Sequence, residues 1–332
     1  MKHGTLLGLL AALGFLAAAE AQAQFPQREL QGVIMWGAGG ATDVVARAVT
    51  PHVEKELGKD IVLTNRAGGA GAISTAFVNA AASDGYTLLY GAENPQLHGV
   101  LGLSNLDYRD FYPVNVLARG IAVVVARNDA PWKSMSDLAK DAQSRPGAIK
   151  MGSTGPGGLP HVVGALLNSV AKFKVTAVPF DGEGPGLTAL QGGHVDFMPV
   201  GLGAAAEHIK AGRVRPLTVI NTEPVATLPG VPAITQEFPD MAKFLPWGPF
   251  YGIWVKKDVP DDVKAKLVDA FNKGAATEQF QTLMVDRGNV MMNVSGTEAQ
   301  AFLDKWQSVT TWILHDNEAT KRSPEELKIP RP

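Results

Sequence analysis

The chain has 332 residues, 45% of them hydrophobic and 19% charged, with a formal net charge of −2. That composition describes a soluble globular protein of one large or two medium domains, each able to bury a core. The small net charge gives no reason to invoke a nucleic-acid or anionic-membrane partner. The absence of cysteine excludes disulfides, thiolate metal sites, a cysteine nucleophile and a lipid-anchored lipoprotein.

Residues 1–23, MKHGTLLGLLAALGFLAAAEAQA, stand apart from the rest. Lys2 makes a short basic start, Gly4 to Ala19 is apolar and uncharged, and Ala21-Gln22-Ala23 is a small-x-small cleavage pattern. The expectation is an export signal cut before Gln24. The alternative, an N-terminal membrane anchor, would want a longer core. No other stretch is long and apolar enough to span a bilayer, so the mature protein is expected in a bacterial periplasm.

From Leu30 onward strands and helices alternate. LQGVIM reads as a strand, DVVARAVTPHVEKEL as an amphipathic helix and DIVLTN as a strand; RAGGAGAIS is a turn, TAFVNAAA a helix and YTLLYG a third strand. This order predicts a parallel sheet with helices on both faces. After the β-branched strand GIAVVVARND the pattern repeats. SMSDLAKDAQ is a Ser-capped helix, AIKMGS a strand, VVGALLNSVA a helix and KVTAVPF a strand, followed by GLTALQGG, VDFMPVG, AAAEHIKAG and VRPLTVI. A proline-rich connection runs from about Asn221 to Pro249. Then FYGIWVKK is a strand, three helical stretches follow, and SPEELKIPRP closes the chain as a surface wrap. Two α/β lobes joined by extended crossings would leave a cleft, a usual place for a small ligand.

The candidate site residues sit where these strands end. Trp36, Ala38, Gly39, Gly40, Ala41, Thr42 and Asp43 form a glycine-rich opening to the first helix, whose free N–H groups attract anions. Asp43 reads equally as a capping residue and as a ligand contact. Gly69 and Ala70 belong to a second such turn, and Glu93 and Asn94 end the third strand in the same crevice. In the second half, Ser153, Thr154 and Gly157 lie in GSTGPGGLPH, with His161 one turn on. Phe180 and Asp181 end KVTAVPF, and Gly201 ends VDFMPVG. His161 can be a packing residue or a ligand contact, and Phe180 a ligand wall or core.

Enzyme signatures are missing. Gly37 and Gly39 fit G-x-G, but Thr42 stands where a dinucleotide fingerprint needs its third glycine, and no acidic residue ends the second strand. Ser153 is not in a G-x-S-x-G elbow, and His194 with Asp196 lacks a third metal ligand. No catalytic residue, metal or cofactor is expected.

The run GAGGATDVVARAVTPHVEKELGKDIVLTNRAGGAGAISTAFVNAAASDGYTLLYG resembles the start of the substrate-binding proteins of tripartite tricarboxylate transporters, the Bug receptors. The likeness continues through DFYPVNVLAR, GSTGPGGLPH, VPFDGEGPGLTALQGGHVDFMP, HIKAGRVRPLTV and LPGVPAITQEFP, nearly the whole mature chain. It implies a two-lobed periplasmic binding protein of the Venus-flytrap type, closing on a small organic carboxylate and passing it to membrane permease subunits. It further implies a non-enzymatic monomer with no cofactor, whose backbone amides and ordered waters hold the carboxylate. Lobe 1 would comprise 24–122 and 246–332, and lobe 2 123–245.

Three departures from the family pattern bear on the ligand. Trp36 replaces a usual phenylalanine and Ala38 a proline, His161 is followed by Val162, and Asp181 stands where a lysine, arginine or neutral residue is common. An acid there disfavours a second ligand anion and points to a neutral, hydroxylated or cationic distal end. The rival readings are a secreted α/β enzyme acting on a phosphorylated or nucleotide ligand, and a ligand sensor feeding a signalling partner.

Overall fold

The apolar runs pair into two separate sheets. The computed structural model describes residues 25–332; the expected export signal and its cleavage point before Gln24 lie outside the described residues. In the first sheet, β1 (Leu30–Ile34) lies parallel to β2 (Ile61–Asn65) and β3 (Thr87–Gly91). Helix α1 (Ala41–Leu57) joins β1 to β2, and α2 (Ala72–Ala80) joins β2 to β3. In α1, Ala41, Val45, Val49 and Val53 recur every fourth residue, forming a buried stripe. Gly58, at φ 66°, ends the helix with its N–H bonded to the Glu54 carbonyl.

The parallel arrangement expected of these three strands is present, and antiparallel strands extend the sheet beyond it. Two further strands, β4 (Phe111–Arg119) and β10 (Phe250–Lys256), lie antiparallel to one another, with β10 against β3. The edge strand β11 (Val290–Val294) lies antiparallel to β4, giving the order β11-β4-β10-β3-β1-β2. The returning chain re-enters this lobe beside the point where β4 leaves it, with Phe250 paired to Arg119, so β10 runs back against β4.

The second sheet has the order β7-β6-β8-β5-β9, with β5 (Ala122–Arg127), β6 (Lys150–Ser153), β7 (Thr176–Pro179), β8 (Phe197–Gly201) and β9 (Val214–Ile220). Here β6 is parallel to β7 and β8, while β5 is antiparallel to β8 and β9. Residues Ala122–Ala126 are wholly buried, because β5 lies between β8 and β9 and is covered on both faces. Helices α3 (Met135–Ser144), α4 (Leu159–Ala171), α5 (Glu183–Gln191) and α6 (Leu202–Lys210) connect these strands.

Helices α7 (Asp261–Ala275), α8 (Glu278–Asp286) and α9 (Gly296–Asp316) complete the chain, with β11 inserted between α8 and α9. The chain leaves the first sheet after Arg119, enters the second at Ala122 and is back in the first at Phe250. The two crossings touch: the Gly120 N–H donates to the Pro249 carbonyl at 2.8 Å. Two sheets linked by paired crossings make a two-lobed molecule that can hinge, and the strand-end loops of both lobes face one cleft.

Candidate ligand-binding cleft

The loop after β1 is held by its own lobe. Asp43 is buried and accepts from the Gly39 N–H at 3.0 Å, from Asn65 Nδ2 at 2.9 Å and from Arg47 Nε at 2.9 Å. Asn65 Nδ2 also donates to the Trp36 carbonyl at 2.8 Å. Asp43 thus shapes the turn from behind. Gly40, the N-cap of α1, has no side chain to offer the first helical turn, so those amides are left for other partners.

One of those partners comes from the opposite lobe. Glu183, the first residue of α5, accepts from the Ala41 N–H at 3.1 Å with one carboxylate oxygen. The other oxygen accepts from the Gly201 N–H at 2.6 Å, at the start of α6. A single side chain therefore caps two helices in two lobes, and the electropositive ends of both explain why an acid is tolerated there. Burial nevertheless raises the pKa of the Glu183 carboxyl, against the lowering effect of the two amides.

The lobes also meet through their backbones. The Gly37 N–H donates to the Asp181 carbonyl at 2.8 Å, and Asn94 Nδ2 donates to the Gly157 carbonyl at 2.6 Å. A Cβ on Gly182 would stand 2.9 Å from the Gly37 nitrogen, so only glycine permits this approach. The cleft is closed.

Closure divides the cleft in two. The inner chamber has about 20 Å³ of free space, room for one water-sized group. Trp36, Gly40, Ala41, Thr42, Glu93 and Thr154 line it, together with Ala92, Leu159, Glu183, Pro249 and Tyr251. The outer cleft is far larger, about 540 Å³, and shares Trp36 and Thr154 with the chamber. Its walls include Gly68, Gly69, Ala70, Gly155, Phe180, Asp181 and Pro185. No lysine or arginine lines either space.

The turn in the outer wall is built from left-handed residues. Gly68, Gly69, Ala70 and Gly71 have φ of 124°, 58°, 50° and 88°. Ala70 is the one residue of the four with a Cβ, which makes the conformation costly there by about 1–2 kcal/mol. His98 Nε2 donates to the Ala70 carbonyl at 2.9 Å and holds it in place. The Gly71 N–H is taken by the Gly68 carbonyl at 3.1 Å, so the amides this turn can offer an anion are those of Gly69 and Ala70.

The sequence candidates divide accordingly. Trp36, Gly40, Ala41, Thr42, Glu93, Thr154, Gly69, Ala70, Phe180 and Asp181 line one of the two spaces. Ala38, Gly39, Asp43, Asn94, Ser153, Gly157, His161 and Gly201 line neither. Several of these brace the loops: His161 Nδ1 accepts from the Gly157 N–H at 3.0 Å, and Ser153 Oγ accepts from the Gly155 N–H at 3.2 Å. Burial lowers the pKa of His161, favouring the neutral ring that this acceptor role requires. Asp181 is exposed at the outer mouth, whereas Glu183 reaches the interior.

The tripartite tricarboxylate transporter family receptor model matches residues 45–313. The chain belongs to this receptor family. The family is one of solute-binding receptors, not enzymes. Among its relatives, the receptor is 29% identical over 291 residues to a UPF0065 protein from the tcbD–tcbE intergenic region of Pseudomonas sp. strain P51. That alignment covers 86% of this chain and 84% of the relative. It is 27% identical to the protein BugT of Bordetella pertussis, over 85% of this chain and 91% of BugT. Two solved structures share the fold. The periplasmic binding protein BugD superposes with a TM-score of 0.84 at 25% identity, covering 90% of this chain and all of BugD. MatC of Rhodopseudomonas palustris, solved with bound malate, superposes with a TM-score of 0.78 at 29% identity, covering 86% of this chain and all of MatC.

Four residues that line or brace the receptor's cleft escaped the sequence reading. Glu183 reads locally as an acid in the first turn of its own helix, with nothing to reveal that it caps two others. Tyr251 and Pro249 belong to the returning crossing, and only folding brings them to the chamber. His98 lay next to a candidate stretch, but its contact with Ala70 depends on two loops meeting.

Proposed function

We propose that this receptor captures a small organic carboxylate from the periplasm and delivers it to the permease subunits of a tripartite tricarboxylate transporter. The observation that carries this reading is the left-handed turn Gly68–Gly71, facing Thr154 and Gly155 across a cleft without cationic side chains. Amide and hydroxyl donors suit a carboxylate. MatC, a structural relative, is described with malate bound.

In this proposal lobe 1 comprises 24–122 and 246–332 and lobe 2 comprises 123–245, with an export signal cut before Gln24. Among the described residues, no helix is long and apolar enough to cross a membrane, in keeping with a receptor that moves freely between ligand and permease. Closure selects the ligand-bound state because ligand contacts come from both lobes.

Thermal unfolding of the mature chain with mono-, di-, hydroxy-, amino- and aromatic carboxylates, NAD and nucleotides tests the reading. A ligand at about a hundred times its Kd stabilises the native state by about 2.7 kcal/mol, a shift of several degrees. A shift with a carboxylate recovered unchanged is expected. A response to nucleotides alone, or chemical conversion of the compound, would overturn it.

A further inference from the structure

The inner chamber is acidic on both sides. Glu93, from the end of β3, is only 3% exposed and lines the chamber, and its Oε2 is buried with no hydrogen-bond partner. Glu183 approaches from the other lobe with both oxygens held by amides. The remaining walls are aromatic, apolar or neutral: the Trp36 indole, the Tyr251 ring and hydroxyl, Thr42, Thr154, Leu159 and Pro249. Two carboxyl groups share a space that contains no cationic side chain.

Such an arrangement is costly unless a proton or a positive charge enters. A second ligand carboxylate has no place here, since Glu183 already takes the amides that open α1 and α6 and its charge would repel another anion. Size narrows the choice further. The free space holds one group about as large as water. An ammonium group has that size and carries three donors and no acceptor, which suits the unpartnered oxygen of Glu93, an oxygen of Glu183 and the Tyr251 hydroxyl. The flanking aromatic rings favour a cation as well. Among the described residues, no group of three acidic or histidine side chains could hold a metal ion.

We propose that the inner chamber is a cation subsite that takes a primary ammonium group, so that the ligand of this receptor is a small amino-carboxylate. The ammonium lies between Glu93 and Glu183, and the carboxylate lies in the outer cleft at the Gly68–Gly71 turn. Trp36 and Thr154 border both spaces, so one short molecule can reach both. The inference rests on the carboxylate reading for its outer half alone. Burial, with Glu183 adding to it, pushes the Glu93 carboxyl up to about 8, as expected of an acid lacking its positive partner.

Calorimetric titration of the mature receptor with carbon chains of matched length tests this. Each set holds an amino-carboxylate, the plain monocarboxylate, the dicarboxylate and the plain amine. The amino-carboxylate is expected to bind at least about tenfold more tightly than the monocarboxylate, as charge-assisted hydrogen bonds imply. Glu93→Gln and Glu183→Gln should each lower that ratio about tenfold, while circular dichroism confirms the native fold. Equal binding of monocarboxylate or dicarboxylate would overturn the cation subsite and leave the carboxylate reading intact. Tight binding of the plain amine, with nothing added by a carboxylate, would support the subsite and overturn the carboxylate reading. If no amine-bearing compound binds, or the ratio survives both substitutions, the subsite is wrong.

Discussion

The loop after β1 and the loop after β7 face each other across the cleft, yet different kinds of bond hold them. The first is tied within its own lobe by Asp43, Asn65 and Arg47. The second leaves its lobe after Phe180, whose N–H donates to the Ser153 carbonyl at 2.8 Å. From there the Asp181 carbonyl and one oxygen of Glu183 are satisfied by the opposite lobe. One half of the site is therefore shaped in advance, and the other is completed by closure. Each direct bond across the cleft contributes about 0.5–1.5 kcal/mol net, so these few contacts bias closure modestly and leave room for ligand to shift the balance.

The largest effect is expected from the acids that closure brings together. Glu93 has its pKa raised from 4.5 to about 8, first by burial. A raised carboxyl pKa makes the folded form bind the proton more tightly. Its contribution to stability is complete below the ordinary carboxyl range and is lost as pH climbs through about 8. The melting temperature of the free receptor should fall between these limits, through a loss on the order of 5 kcal/mol. Glu93→Gln should flatten the slope; an unchanged slope would show that another group causes it.

Gly184→Ala separates closure from folding. A Cβ there would fall on the Ala38 carbonyl oxygen, a backbone atom that cannot swing aside. Gly184 is helical, so alanine suits the isolated lobe. Ligand affinity should drop roughly a hundredfold with the fold intact, and small-angle scattering should show a more open molecule. If the pH slope also shrinks in this variant, the acidic chamber is a product of closure.

Asp43→Ala attacks the preformed half. It strips an acceptor from Gly39, Asn65 and Arg47 and should cost about 2 kcal/mol in denaturant unfolding, with or without ligand. A loss confined to ligand binding would mean that Asp43 serves the ligand, not the turn. The smallest effect belongs to Asn94→Ala, which removes one bond across the cleft, to the Gly157 carbonyl. Closure should weaken by about 1 kcal/mol, read as a several-fold rise in ligand Kd with little change in unfolding.

Where sequence reading failed in the fold, the causes are local. The strand β4 contains Pro113, which lacks the N–H a ladder needs and so reads as a strand breaker. In the sheet Pro113 pairs with Trp254 at a register shift, where the missing donor is accommodated. The edge strand β11 is a short, half-buried segment between two helices, and its VMMNV lacks a buried alternating pattern. By contrast, α1 and the strands around it were legible because their apolar spacing matches one period throughout.

By itself the sequence determined the alternation of strands and helices, the glycine-rich turns at strand ends, the exclusion of cysteine chemistry and the resemblance to a receptor family. These follow from periodicity, from residues that alone tolerate certain backbone angles, and from composition. Only the tertiary structure decided which acid enters the site. Asp181 and Glu183 flank Gly182 in one glycine-rich stretch, but the first is exposed at the outer mouth while the second reaches two helix ends and lines the chamber with Glu93. That outcome depends on one lobe's loops packing against the other's. Local sequence cannot encode such a contact on its own, because the partners come from distant segments and meet only when the cleft shuts.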